Sequence, residues 1–191
     1  MTKRSPASLI IAAIVALVII VFVVIAGRAK PADQAIPPAP ISGKEAPAIR
    51  AVNELNDQPF SLTNFGGGTD FVVVNFFSDW CTTCDSEHSD LVAFGADPDT
   101  QVPTKIMQVI RDNSTSKQAA LDYLDRRGVV GPTVYDDGGR FALAYGVRGQ
   151  PETFVIDPDG IVVGRFVGPV TKTQLSDSIN AYIDQVLASA A

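Results

Sequence analysis

The chain has 191 residues, 46% hydrophobic, 8% aromatic and 19% charged, with a formal net charge of −6. From residue 45 onward it carries 10 basic against 20 acidic side chains, a net −10. That balance argues against nucleic acid, whose binding needs a clustered basic face, and against electrostatic docking on anionic lipid. Two cysteines and one histidine exclude a disulfide-stapled miniprotein and a four-ligand Cys/His zinc site built from this chain alone.

Charge is missing above all from one segment. Thr2-Lys3-Arg4-Ser5-Pro6 precedes LIIAAIVALVIIVFVVIA, residues 9–26, which hold no charged or polar side chain. With its small uncharged neighbours the stretch reaches about 20 residues, enough at 1.5 Å per residue to cross roughly 30 Å of hydrocarbon. It exceeds the apolar region of about 7–15 residues in a cleaved signal peptide, the rival reading. The expected organisation is a cytoplasmic N-terminus at 1–8, a transmembrane anchor at 9–27, a spacer at 28–44 and one domain at 45–191. Lys3 and Arg4 place the N-terminus inside by the positive-inside rule. The expected location is the cell membrane, single-pass, with the acidic domain extracytoplasmic. The spacer, RAKPADQAIPPAPISGK, is rich in Pro and Ala without apolar periodicity, so an extended, semi-stiff segment is predicted.

The globular pattern begins with two short edge strands, Ile49-Arg50-Ala51-Val52 and Phe60-Ser61-Leu62, around a turn at Asn56-Asp57-Gln58-Pro59. Gly66-Gly67-Gly68 reads as a flexible turn. Phe71-Val72-Val73-Val74-Asn75-Phe76-Phe77 is nearly continuous in β-branched and aromatic residues, which suits a strand buried on both faces at the centre of an α/β sheet. A helix is predicted from about Cys81 towards Phe94, then a second central strand over 105–110. Ser114 opens a helix closed by Arg126-Arg127-Gly128, a basic last turn and a glycine stop. Thr153-Phe154-Val155-Ile156 is a strand, Asp157-Pro158-Asp159-Gly160 a turn, and 161–167 the returning strand of a hairpin. A last helix over 171–187, capped near Thr171, sets Leu175, Ile179, Tyr182, Ile183 and Val186 on one stripe. The order is β, then βαβα, then ββα.

The chemistry centres on Trp80-Cys81-Thr82-Thr83-Cys84, directly after the hydrophobic strand. Cysteines three apart at a helix start are neighbours one turn along, within reach of a disulfide. The first sulfur lies where unpaired N–H groups and the positive helix end favour thiolate; the second lies a turn deeper. Cys81 is therefore the expected nucleophile and Cys84 the resolving thiol. A static disulfide and a metal site are the competing readings. His88 could add a third ligand but no fourth Cys or His exists, and it is expected as an ordinary helix-surface residue. Glu87 shares the helix face of Cys84, and a carboxylate there disfavours thiolate and raises the thiol pKa; the alternative is a solvated glutamate. Trp80 is expected to cover the disulfide as an apolar lid, with plain core packing as the alternative. Asp79 and Asp85 add negative charge around the site.

The chain here resembles the membrane-anchored, extracytoplasmic thioredoxin-like thiol–disulfide oxidoreductases, the TlpA/ResA/DsbE group tied to cytochrome c maturation. The resemblance runs from about Gly43 to Leu187. It rests on Asn75-Phe76-Phe77-Ser78-Asp79-Trp80-Cys81-Thr82-Thr83-Cys84, on Glu87 three residues after the second cysteine, on Gly146-Val147-Arg148-Gly149-Gln150-Pro151-Glu152-Thr153-Phe154-Val155-Ile156-Asp157, and on the closing Gly160-Ile161-Val162 hairpin. It departs at the dipeptide: many relatives have a proline between the cysteines, where both residues here are Thr.

The resemblance implies a thioredoxin-like three-layer α/β/α sandwich on a single N-terminal transmembrane helix. It implies a cis Gln150–Pro151 bond beside the sulfurs, substrate contact at Gln150 and Pro151, and proton handling by Glu87 in place of the buried Asp of thioredoxins, where this chain has Asn75. No cofactor is expected. The expected partners are a protein disulfide such as that of apocytochrome c and a membrane thiol–electron donor, with electron flow towards reduction. Rival functions are a disulfide-introducing oxidase, a thiol peroxidase using Ser78 three residues before Cys81, a copper-delivery protein, for which the CxxC spacing is wrong, and a non-catalytic docking module.

Overall fold

The computed structural model describes residues 15–17 and 41–190. Residues 15–17 are helical. The remainder of the expected anchor, the N-terminus before it and most of the spacer lie outside the described residues. Among the described residues no helix is long and apolar enough to cross a membrane.

Two chain units separate at Pro37/Pro38, and the second holds the sheet. Its order is β1 (Arg50–Asn53), β2 (Gln58–Ser61), α1 (Leu62–Gly66), β3 (Phe71–Phe77), α2 (Thr82–Ala96), β4 (Thr104–Ile110), α3 (Lys117–Arg127), β5 (Thr133–Tyr135), a 3-10 turn at Asp137–Gly139, α4 (Arg140–Tyr145), β6 (Glu152–Ile156), β7 (Val162–Val167) and α5 (Lys172–Ala190). The folded unit also takes in residues 41–44, expected in the spacer: Gly43 N donates to Val162 O, Val162 N donates to Lys44 O, and Ile41 packs on the core.

All seven residues of β3 are buried, as a strand covered on both faces requires. It lies at the centre of a five-stranded sheet in the order β5-β4-β3-β6-β7. β3, β4 and β5 run parallel, while β6 and β7 return antiparallel. Period-two alternation splits β3 between two cores. Val72, Val74 and Phe76 face α1 and α4, packing with Met107, Val109, Phe154, Phe141 and Tyr145. Phe71 and Val73 face the opposite way, against Leu91 and Phe94 of α2 and Leu175 and Ile179 of α5. At the carboxyl end of the strands, Phe77 and Ile110 pack with Ala120, Tyr123 and Leu124 of α3 and with both cysteines. The result is the three-layer α/β/α sandwich.

Differences from the expected elements have local causes. β1 and β2 form a separate antiparallel ribbon, and Leu62, expected at a strand end, starts α1 with its side chain buried. α3 begins three residues after Ser114, because residues 111–114 close a turn through Ser114 N to Arg111 O and Ser116 supplies the cap, its Oγ accepting from Ala119 N at 3.0 Å. α1, β5 and α4 span 5, 3 and 6 residues and were not anticipated, since so short a segment shows no periodicity. Thr171 does cap α5: its Oγ1 accepts from Gln174 N at 3.2 Å while Gln174 Oε1 accepts from Thr171 N at 2.9 Å, a reciprocal capping box. Leu175 and Ile179 are fully buried, Tyr182 and Ile183 half-buried and Val186 exposed, so the stripe fades towards the C-terminus.

α4 stands on one side chain. Asp136, fully buried, accepts from Phe141 N at 2.7 Å and from Ala142 N at 3.0 Å. Asp136→Ala strips two buried N–H groups of their acceptor and should cost about 2 kcal/mol, read from the urea midpoint. An unchanged midpoint would show the helix to be held by packing alone.

Candidate active site

Cys81 occupies the N-cap position of α2 with extended backbone, φ −81° and ψ 105°. Its Sγ accepts from Cys84 N at 3.1 Å, so the sulfur takes the role usually played by a Ser or Asp oxygen at a helix start. Cys81 and Cys84 are joined as a disulfide, their Cα atoms 5.2 Å apart. Both are buried, but only Cys81 lines a surface groove, together with Trp80, Thr83, Asn113, Gly149 and Gln150. The Gln150–Pro151 bond is cis, and the Gln150 carbonyl oxygen lies 3.7 Å from Cys81 Sγ. Cys81, Gln150 and Trp80 thus meet at one groove, while Cys84 sits behind it.

Trp80 is 56% exposed, which removes the core-packing alternative; its Nε1 donates to Asn113 O at 2.7 Å and fixes the indole at the groove rim. Ser78, the hydroxyl a peroxidase would direct at its cysteine, donates to Asn113 Oδ1 at 2.7 Å. Asp79 Oδ1 accepts from Thr115 N at 2.8 Å. Asp85 pairs with Arg127 at 2.5 Å and accepts from Tyr123 Oη at 3.3 Å, tying α2 to α3.

Glu87 is 2% exposed, so the solvated alternative fails. Its Oε1 accepts from Asn75 Nδ2 and its Oε2 from Val170 N, both at 2.8 Å. Burial pushes the carboxyl up to about 7, against the pull of those two hydrogen bonds, with the charge of Asp90 adding to the rise. Asn75 is itself oriented: its Oδ1 accepts from Gln108 Nε2 at 3.1 Å, and its Nδ2 also donates to Thr153 Oγ1 at 3.0 Å.

His88 corrects the expectation of a surface residue. It is buried, its Nε2 lies 2.8 Å from Gly128 O, and Tyr123 packs edge-on with ring centroids 5.0 Å apart. A carbonyl can only accept, so Nε2 carries the proton. Burial outweighs that bond and lowers the pKa. Helical spacing put His88 one residue from Glu87, but the chain after α3 folds over that side of α2 and covers it. Among the described residues no group of three or more His, Cys, Asp or Glu is placed to hold a metal ion.

Glu152 is a residue that sequence reasoning quoted and assigned nothing. It is buried, its Oε2 accepts from Arg165 Nε at 3.0 Å and Nη2 at 2.7 Å, and its Oε1 accepts from Arg148 N at 2.7 Å and Gly149 N at 3.1 Å. It pins the loop that carries Gln150. A signal existed: β6 and β7 pair Phe154 with Arg165, so an acid two residues before Phe154 and a base opposite it share one sheet face.

Residues 41–183 match the Redoxin family profile. The chain belongs to the Redoxin family. Over 159 residues, 81% of either chain, this redoxin is 33% identical to the thiol:disulfide interchange protein HelX of Rhodobacter capsulatus. It is 30% identical over 134 residues to the thiol-disulfide oxidoreductase ResA of Bacillus thuringiensis, covering 70% of this chain and 73% of that one. A DsbF homologue from Corynebacterium diphtheriae has the same fold, with a TM-score of 0.63 at 24% identity over 72% of this chain and 86% of its own. The redoxin is a thiol–disulfide oxidoreductase of the TlpA/ResA/DsbE group.

Proposed function

We propose that this oxidoreductase reduces protein disulfides outside the cytoplasm through Cys81 and Cys84, with disulfides such as those of apocytochrome c as substrate and a membrane thiol transporter as electron source. The observation that carries the reading is the Cys81–Cys84 bond at the start of α2, with Cys81 on the groove wall and Cys84 behind it. In the reduced chain the Cys81 thiolate attacks one sulfur of the substrate disulfide. That S–S bond breaks, the departing sulfur takes a proton from water, and the other remains bonded to Cys81. The Cys84 thiolate then attacks Cys81 Sγ, the mixed disulfide breaks, and the second substrate sulfur leaves and is protonated. Two electrons have passed to the substrate and the chain is left in its disulfide form. A donor dithiol restores it by the same exchange in reverse.

Each surrounding residue has a part in this reading. The open N–H groups at the start of α2 favour the Cys81 thiolate. The backbone of Gln150 and Pro151 offers an edge to an extended substrate segment, and Trp80 walls the groove. Glu87, half-protonated near pH 7, exchanges protons as the thiols change state and opposes an extreme thiolate stabilisation, which favours a reducing pair over an oxidising one. The apolar run at 9–26 supports a membrane anchor with the domain outside, to be read by protease treatment of intact cells.

Cys84→Ser in the full chain tests the reading. A mixed disulfide with a protein partner should accumulate on Cys81, and identifying that partner names the substrate. Trapping through Ser78-side peroxide chemistry, or no adduct on Cys81 at all, would overturn it.

A further inference from the structure

The Thr82-Thr83 dipeptide carries no charge, and from sequence it has no electrostatic part to play. The structure gives Thr83 one. Its Oγ1 lies 3.3 Å from Cys81 Sγ. In the disulfide that sulfur bears no hydrogen, so the hydroxyl is the donor and the sulfur the acceptor. The same sulfur already accepts from Cys84 N at 3.1 Å. Two donors, one of the backbone and one of a side chain, therefore converge on the atom that faces the groove.

We propose that Thr83 is a catalytic residue of this reaction, its hydroxyl donating to the Cys81 sulfur and stabilising it as thiolate. The inference rests on the reading of Cys81 as the attacking thiol. A hydrogen bond to an ionised acceptor is roughly twice as strong as one to a neutral acceptor, so the bond gains when the disulfide opens to thiolate. It favours Cys81 as the sulfur that carries charge before attack and whenever it is expelled from a mixed disulfide. The hydroxyl is positioned from behind, since Thr83 O accepts from Ser86 Oγ at 2.7 Å, and Thr83 itself is exposed, so water competes for the bond and limits its strength.

The ionisable groups on the surrounding elements are engaged elsewhere. Asp79 accepts from Thr115 N, Asp85 pairs with Arg127 and Tyr123, Glu87 is held by Asn75 and Val170 N, and Arg111 Nη1 donates to Gly149 O at 3.5 Å. None of them is in contact with Cys81 Sγ, whereas the Thr83 hydroxyl is.

The test uses the full chain, reduced, as wild type, Thr83→Val and Thr83→Ser. The rate of iodoacetamide alkylation is followed against pH, and the labelled cysteine is mapped by peptide mass. Thr83→Val keeps the shape and deletes the donor; it should raise the pH midpoint of Cys81 alkylation by about half a unit to one unit. Thr83→Ser keeps the donor and should hold the wild-type midpoint. Against glutathione, Thr83→Val should shift the equilibrium by three- to tenfold towards the disulfide, up to about 30 mV more reducing. An unmoved midpoint in Thr83→Val, or a Thr83→Ser midpoint that moves as far as that of Thr83→Val, overturns the role. Label appearing on Cys84 instead would overturn the assignment of the attacking thiol, a different result from either.

Discussion

Glu152→Ala should destabilise the folded domain by about 3–5 kcal/mol, the range for removing one partner of a buried charge pair. The carboxylate is 1% exposed at its side chain and the Arg165 side chain 9%. Both guanidinium donors that meet Glu152 would lose an ionic acceptor, and Arg148 N and Gly149 N would lose theirs as well. The second loss concerns activity. Gln150 follows the two pinned amides directly, so its carbonyl should lose its place beside Cys81. The KM for a protein disulfide should rise more than the KM for a small aromatic disulfide, which needs no backbone edge. Glu152→Leu combined with Arg165→Met should recover much of the stability, because a well-packed apolar pair can replace a buried ion pair, without recovering the KM. A Glu152→Ala chain with the wild-type denaturation midpoint would remove the pair from any structural account.

Glu87 should make stability fall as pH rises through the neutral range. Its carboxyl ordinarily titrates near 4.5 and in the folded chain near 7, so the folded state holds a proton that the unfolded state has released. The contribution is complete below about pH 4.5, declines between 4.5 and 7, and is flat above. The amount lost is about 3 kcal/mol. Glu87→Gln has no proton to lose. The stability difference between wild type and Glu87→Gln, measured by urea unfolding at pH 4.5, 6 and 8, should therefore move against the wild type by that amount across the series. Other groups titrate equally in both chains and cancel. A difference independent of pH would mean that Asn75 and Val170 N hold the carboxylate ionised throughout.

What could be read before the structure was the frame. The unbroken apolar run of β3 demands a central strand, the CxxC after it demands a helix start, and the hydrophobic spacing of α5 with Thr171 and Gln174 marks both its face and its cap. The parts that escaped reading are set by chain segments far apart in sequence. His88 looks like a surface residue until the loop after α3 covers it. Glu87 looks ambiguous until Val170, 83 positions on, closes over it. Thr83 carries no pattern at all, since a hydroxyl beside a sulfur depends on a side-chain rotamer. Glu152 was legible only by pairing two strands and following one face of the hairpin. Element lengths below about six residues, as in α1 and β5, are chosen by packing rather than by propensity.

The line of amides from Gln108 through Asn75 to Glu87, with Thr153 at its side, has a consequence beyond proton affinity. Asn75 lies level with Gln108 on one neighbouring strand and with Thr153 on the other, in the middle of surfaces made otherwise of Val, Ile, Met and Phe. Apolar strands of that kind pair almost equally well when displaced. A displacement of one residue would turn Asn75 to the opposite face, among Phe76, Phe154 and Tyr145, where its amide would find no partner; a displacement of two would leave it beside Val73 or Phe77 positions. Three polar side chains at one level thus act as a vernier mark across β4, β3 and β6, admitting a single alignment of the sheet's centre and, with it, a single position for the helix that carries the cysteines.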